Sequence, residues 1–178
     1  MVSLTVLFWL FVILFAIIGA MRGWAKEILV TFSVLLAIFI IVLMETYLPL
    51  MSPDSSISQA TRFWVQTVTI ALLVFFGYQT PNLRALAGPR FARDRVQDVL
   101  LGLILGAVNG YLIVGSIWYY MAAAGYPFQP FFIPPDANTA MGQAALNLLD
   151  KMPPVFLVPP WIYFAVAVAF IFVVVVFI

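Results

Sequence analysis

Residues 99–120 read VLLGLILGAVNGYLIVGSIWYY, an unbroken stretch without a charged side chain. A membrane-spanning helix needs about 20 consecutive, mostly apolar residues to cross a hydrocarbon core of roughly 30 Å. This stretch meets that requirement with margin. It therefore predicts a transmembrane helix, and the rest of the chain can be compared with it.

Three earlier segments share this apolar character, at residues 3–22, 27–44 and 63–79. A further segment, residues 161–178, is apolar throughout and begins directly after Pro159 and Pro160. Prolines suit a helix start because the first turn does not use their missing backbone donor. This segment is only just long enough to span. We therefore predict an all-α fold, an integral membrane bundle of four to five transmembrane helices.

The predicted spans divide the chain into three parts: residues 1–124 form a four-helix transmembrane domain, residues 125–160 a proline-rich extracytoplasmic segment, and residues 161–178 the fifth helix. The middle part carries eight of the twelve prolines and cannot be one continuous helix. Inside it, apolar residues recur at helical spacing, namely Met141, Ala144, Ala145, Leu148, Leu149 and Met152. They predict a short amphipathic helix. It would lie on the bilayer surface or pack in the loop against the bundle, and both alternatives stay open.

The composition also excludes several classes of function. Hydrophobic residues make up 65% of the chain and charged residues 8%, against roughly a quarter charged in ordinary soluble domains. The formal net charge of +1 offers no basic face for nucleic acid. Cysteine and histidine are absent, so disulfides, thiolate or imidazole metal ligands and Ser-His pairs are excluded. The few acidic residues form no acid and base pair, and we predict no catalytic, cofactor-binding or metal-binding residues.

The distribution of Lys and Arg predicts the orientation in the membrane, because cytoplasmic loops keep the excess of these residues. With the N-terminus outside, six of them fall on the cytoplasmic side: Arg22, Lys26, Arg84, Arg90, Arg93 and Arg95. Only Arg62 and Lys151 then lie outside. Topology explains the cluster before the fourth helix adequately. Binding of anionic lipid headgroups is a second interpretation of the same cations.

The fourth span carries Gly102, Gly106 and Gly110 at four-residue spacing. In lipid, such a glycine ridge lets two helix backbones approach closely. The first helix is the natural partner because it ends with Gly19 and Gly23; a second copy of the chain or a foreign membrane subunit is the alternative. Asn109 lies within the ridge and should form a hydrogen bond across the interface, whereas a pore or ligand lining is its functional alternative.

No charged residue falls inside a predicted span core, and intramembrane charges usually mark proton relays and ion pathways. This absence argues against a proton-coupled transporter. A channel formed by oligomerisation stays open. In the third span only Gln66 raises a question, because the neighbouring threonines can bond their own helix backbone.

Two stretches resemble the colicin V production protein family. Residues 19–27, Gly-Ala-Met-Arg-Gly-Trp-Ala-Lys-Glu, resemble the family's small-residue, Arg-Gly-aromatic, basic-Glu turn. Residues 98–110, Asp-Val-Leu-Leu-Gly-Leu-Ile-Leu-Gly-Ala-Val-Asn-Gly, resemble its Asp-x-x-Leu-Gly-x-x-x-Gly-x-x-Arg-Gly entry to the fourth helix. The chain departs from the family by lacking an acid in residues 1–10, by Asn109 where Arg is usual, and by Val99 where Arg often follows the Asp.

The resemblance implies a bacterial inner-membrane protein connected with colicin V production or export and with envelope maintenance. It implies no known reaction. A second hypothesis makes the chain a structural accessory subunit of a larger respiratory or photosynthetic complex. The two hypotheses differ in their partners, because only the accessory subunit requires stoichiometric foreign chains. A homo-oligomer is compatible with the first, and the lipid bilayer is a partner in both.

Overall fold

A computed structural model describes residues 3–52, 55–79, 95–128 and 131–177 of the chain. All regular elements in these residues are helices: α1 Leu4–Arg22, α2 Trp24–Tyr47, α3 Gln59–Tyr78, α4 Arg95–Ala123, α5 Ala140–Leu149, α6 Pro153–Phe156 and α7 Trp161–Phe177. The predicted all-α fold is confirmed. Four helices, α1 to α4, are long and apolar enough to cross a membrane, which confirms the predicted membrane bundle.

Helix α7 covers 17 residues, slightly fewer than the roughly 20 that a span requires. It packs against α2, where Phe32 contacts Phe170 and Phe39 contacts Tyr163 through their rings. Its role as a fifth span therefore stays a prediction.

Helices α2 and α4 begin before the predicted spans, at Trp24 and Arg95. The polar residues at these ends extend the helices beyond the apolar segments. Gly23 alone separates α1 from α2, and its φ of 83° lies in the region that favours glycine. The turn between the first two helices is therefore a single residue.

Helix α4 is the centre of the bundle. It packs against α1 along most of that helix and also contacts α2 and α3, while α2 additionally contacts α3 and α7. The two ends of the bundle are named here by one residue each. At the Gly23 end, α1 and α3 finish and α2 and α4 begin. At the Glu45 end, α2 and α4 finish, α3 begins, and the loop with α5 and α6 contacts the bundle.

Helix α5 packs one face on the bundle. Ala145 is buried, while Leu148 and Leu149 lie against the core. Met152 follows the helix and is fully buried. The stripe predicted from sequence was too wide, because Met141 and Ala144 are exposed. They lie on the side of α5 that faces away from the bundle.

Candidate functional site

The glycine ridge faces α1. A Cβ placed on Gly106 would lie 2.9 Å from Cα of Gly19, and one placed on Gly19 would lie 2.7 Å from Cα of Gly106. A Cβ on Gly102 would collide with the backbone oxygen of Gly19, and a Cβ on Gly110 would lie 3.0 Å from Cα of Val12. At Gly19, Gly102 and Gly106 these neighbours are backbone atoms, which cannot move as a side chain would, whereas at Gly110 the nearest atom is Cβ of Phe15 at 2.8 Å. The structure thus brings the ridge against the first helix of the same chain.

The turn between α1 and α2 is held by Asp98 at the start of α4. The backbone N–H of Trp24 donates to Oδ1 of Asp98 at 3.2 Å. A Cβ on Gly23 would lie 2.8 Å from both carboxylate oxygens, so a larger residue there would displace Asp98. The carboxylate faces the first turn of α2, where the helix dipole favours a negative charge.

A polar cluster lies inside the bundle beside this turn. It comprises Arg22, Glu27, Thr31, Tyr78 and Asn109 and is called here the Glu27 cluster. Glu27 is fully buried, yet both of its carboxylate oxygens have partners. Nη1 of Arg22 donates to Oε1 at 2.6 Å, and Nδ2 of Asn109 donates to Oε2 at 2.8 Å. The buried charge is therefore paired and hydrogen-bonded, as its burial requires.

Asn109 uses both ends of its side chain amide. Nδ2 also donates to the backbone oxygen of Glu27 at 3.0 Å, and Oδ1 accepts from the Thr31 hydroxyl at 2.7 Å. These bonds connect α4 with α2. In this geometry the Asn109 side chain bonds to a neighbouring helix, as expected from the sequence, and does not line a pore within the described residues.

Arg22 connects three helices at the Gly23 end. Besides pairing with Glu27 of α2, its Nη2 donates to the backbone oxygen of Tyr78 at 3.1 Å, and its guanidinium lies 4.2 Å from the Tyr78 ring centre. Its side chain is 19% exposed. A residue predicted to set the topology is thus also a packing residue.

The other predicted topology residues contribute less to this geometry. Lys26 lies half-buried in the first turn of α2. Arg84, Arg90 and Arg93 lie outside the described residues. Arg95 begins α4, and only its backbone is described. Whether these cations bind lipid headgroups stays a prediction.

Sequence reasoning missed the burial of Glu27. It placed the residue at the edge of a span and counted the span cores as free of charge. A signal was present, because Glu27 and Thr31 are four residues apart and so share one face of α2. That face also carries the buried Val30 and Val34. A polar pair on a buried face, together with Asn109 on the fourth span, predicts a polar contact between the two helices.

The Glu27 cluster can hold four helices in one arrangement, but it offers no free carboxylate. Within the described ranges no three acidic side chains gather into a group that could hold a metal ion. The cluster therefore joins α1, α2, α3 and α4 at the Gly23 end through hydrogen bonds and one ion pair. We expect this connection to matter most for the position of the α1–α2 turn.

Comparison with known proteins agrees with the resemblance seen in the sequence. The family model described as colicin V production protein matches residues 4–135. This range contains both motif stretches and all of α1 to α4. No curated protein and no solved structure matches the chain.

Proposed function

The chain belongs to the colicin V production protein family, and from this premise we propose that it is a non-enzymatic multi-pass protein of the bacterial inner membrane that acts in toxin production or envelope maintenance. The proposal rests mainly on the contact between the two motif stretches, which pack against each other in the structure. Residues 19–27 and 98–110 supply the glycine contacts between α1 and α4 described above, except those that Gly110 makes with Val12 and Phe15 of α1.

The same stretches supply most of the Glu27 cluster. Arg22 and Glu27 come from the first stretch and Asn109 from the second, and their hydrogen bonds join all four long helices, α1 to α4. Such an arrangement supports a role in which the four-helix unit acts as a rigid body. Its function would then depend on the surfaces it presents to lipid and to other membrane proteins rather than on a reaction.

The orientation belongs to the same proposal. Arg22, Lys26 and Arg95 belong to helix ends on the Gly23 side, and Arg84, Arg90 and Arg93 fall between α3 and α4 in the sequence. The positive-inside rule assigns the side with this excess to the cytoplasm. The N-terminus and the proline-rich segment then face outward. The short α5 and α6 would lie at the outer surface of the inner membrane.

A deletion strain tests the function. In a toxin-producing host, we expect loss of the gene to lower the amount of secreted toxin or to raise the entry of a dye that an intact envelope excludes. A plasmid copy of the wild-type chain should restore both. The Gly106→Leu variant should not restore them, whereas Leu103→Ala should, because Leu103 is partly exposed on another face of α4. Normal toxin output and an intact envelope after deletion would contradict the proposal.

Purification separates this proposal from the accessory-subunit hypothesis. Extraction in mild detergent followed by mass measurement should give the chain alone or as a homo-oligomer. Stoichiometric foreign subunits of a respiratory or photosynthetic complex would instead favour the accessory role.

A further inference from the structure

A second polar region lies at the Glu45 end, far from the Glu27 cluster along the same helices. It surrounds a cavity of about 430 Å³ between α2, α3, α4 and the loop that follows α6. The deep wall is apolar and includes Ile38 and Val42 of α2. The polar residues that line it include Glu45, Thr46, Gln59, Arg62 and Gln66. The cavity therefore suits a small group that has its polar atoms on one side.

Glu45 presents a carboxylate oxygen to this cavity. Oε1 accepts a hydrogen bond from Nε2 of Gln66 at 2.7 Å. Gln66 is itself buried, so this bond holds the Glu45 carboxylate in one orientation. Oε2 makes no hydrogen bond within the described part of the chain. A cationic donor such as an ammonium group is the natural partner for that oxygen.

Arg62 supplies the opposite charge to the same cavity. Its Nη2 donates to the backbone oxygen of Ser52 and to the Ser55 hydroxyl, which hold the guanidinium in place. Its Nε is buried and has no hydrogen-bond partner among the described residues. An Nε this deeply buried is not reached by a group in the cavity, so the donor that Arg62 offers to an anionic oxygen is Nη1, which bonds to no described residue. Arginine is well suited to phosphate oxygens because its donors are arranged in a planar fork.

The walls suit an ammonium group as well. Tyr119 and Tyr120 line the cavity from α4, and aromatic rings attract cations. Glu45 is close to the end of α2 and Arg62 close to the start of α3, so the cavity lies at the end of the apolar spans, where a bilayer would place its headgroups. Both charges therefore sit near the edge of the apolar spans.

We propose that this cavity binds a small zwitterion, an ammonium beside a phosphate ester, as found in the headgroup of phosphatidylethanolamine. The ammonium donates to Glu45 Oε2, and the phosphate accepts from Arg62. The same chemistry occurs in free phosphoethanolamine, so the experiment has an arm for each source. This site does not depend on the proposed function, because neither its residues nor its ligand is used there.

Titration calorimetry on the purified full chain in detergent tests the proposal with soluble, short-chain lipids. The probes are dihexanoyl-phosphatidylethanolamine, dihexanoyl-phosphatidylcholine, dihexanoyl-phosphatidylglycerol and free phosphoethanolamine. We expect the ethanolamine lipid to bind at least about tenfold more tightly than the choline lipid, whose nitrogen has no N–H to donate. The glycerol lipid, which has no cation, should bind no more tightly than the choline lipid, whose cation can still lie against the tyrosine rings.

Two variants connect this preference with Glu45. Glu45→Gln keeps the side chain's size and should abolish the preference for ethanolamine over choline. Asp150→Asn makes the same change of charge at an exposed site outside the cavity and should leave the preference intact. Should Glu45→Gln fold poorly, the ratio measured on the wild-type chain still decides, because it requires no substitution.

The remaining outcomes assign the source or reject the site. Tight binding of free phosphoethanolamine, with the same loss in Glu45→Gln, would support the zwitterion site and identify a soluble ligand. Weak binding of that compound beside tight binding of the lipid would identify the headgroup. Equal affinity for the ethanolamine, choline and glycerol lipids would overturn the proposal, and so would an ethanolamine preference that Glu45→Gln leaves unchanged.

Discussion

Asn109 of α4 donates a hydrogen bond of 2.8 Å to the fully buried carboxylate of Glu27 on α2. This contact places an amide opposite an acid inside the bundle. The same amide nitrogen reaches the Glu27 backbone oxygen at 3.0 Å. Asn109 therefore satisfies a side chain and a main chain acceptor of one residue, and its loss would leave both without that donor.

We predict that Asn109→Ala lowers the free energy of unfolding by about 1–3 kcal/mol, because a buried charged acceptor loses a partner. Denaturation of the purified chain in mixed micelles measures the change. Thr69→Val is the matched control, since the Thr69 hydroxyl donates only to the Val65 oxygen of its own helix. A double variant with Glu27→Gln should show that the two changes are not additive. Equal stability of Asn109→Ala and Thr69→Val would contradict this account.

Arg22 should be more sensitive to substitution than its neighbour Lys26, although both were predicted to set the topology. Arg22→Gln leaves the Glu27 carboxylate with one partner fewer, and breaking a buried ion pair costs about 3–5 kcal/mol, toward the lower end here because Arg22 is partly exposed. Arg22→Lys keeps the charge but loses the planar fork that also reaches the Tyr78 oxygen. We expect the unfolding free energy to be highest for the wild type, lower for Arg22→Lys and lowest for Arg22→Gln.

Lys26→Gln is the control for that series because it removes a cation from the same turn. Lys26 makes no ion pair with a described residue. Its substitution should change the unfolding free energy by less than about 1 kcal/mol. A loss at Lys26 equal to that at Arg22 would show that the net charge of the turn, and not the contact with Glu27, determines stability.

The helices were predictable because lipid imposes a simple requirement of length and apolarity. The spans were therefore visible in residues 3–22 and 99–120. The first matches α1 closely, whereas α4 begins earlier, at Arg95, than the predicted span. The spacing of Gly102, Gly106 and Gly110 indicated a close contact and named α1 as its natural partner. These are properties of one helix read along its own sequence.

The pairing of polar residues was less accessible, because it depends on the rotation of each helix about its axis. Glu27 lay at a span edge, where a charge is ordinarily solvated, and only packing against α4 turns it inward. The same holds for Gln66, whose partner Glu45 belongs to another helix. The apolar stripe of α5 was too wide for a related reason, since the small contact area with the bundle leaves Met141 exposed.

The orientation can be tested with single cysteines because the chain has none of its own. We predict that an impermeant thiol reagent labels a cysteine at Ser56 in intact cells and does not label one at Ala87. Ser56 is exposed near the start of α3, and Ala87 comes between Arg84 and Arg90 in the sequence, before α4. Labelling of Ala87 but not of Ser56 would reverse the proposed topology. Labelling of both positions after the cells are opened is the control for reactivity.

Helix α5 should depend on its inner face for attachment. Leu148 packs against the core, so Leu148→Glu places a charge where apolar contact is needed and should increase protease cleavage of residues 140–152. Met141→Glu introduces the same charge on the exposed face and should leave cleavage unchanged, because Met141 is 65% exposed. Limited proteolysis followed by mass measurement compares the two variants. Equal cleavage rates in both variants would argue against a buried inner face.

The glycine ridge makes the strongest steric prediction in the bundle. A Cβ on Gly106 would lie 2.9 Å from Cα of Gly19 and 3.1 Å from Cα of Ala16, which are backbone atoms. Helix association in lipid relies on van der Waals packing rather than on apolar burial, so separating the backbones removes the main attraction. We expect Gly106→Leu to abolish most of the folded yield, and Gly106→Ala to lower thermal stability measurably.

Leu103→Ala is the control, because Leu103 is 41% exposed on a different face of α4 and its truncation leaves the ridge untouched. Fluorescence size-exclusion chromatography of detergent extracts measures the yield of each variant. Loss of yield in the isolated chain fits the contact with α1, whereas normal yield with loss of a co-purifying partner would move the contact to another chain. Wild-type behaviour of Gly106→Leu in both respects would mean that the ridge faces lipid, and the packing of α1 on α4 described here would then be wrong.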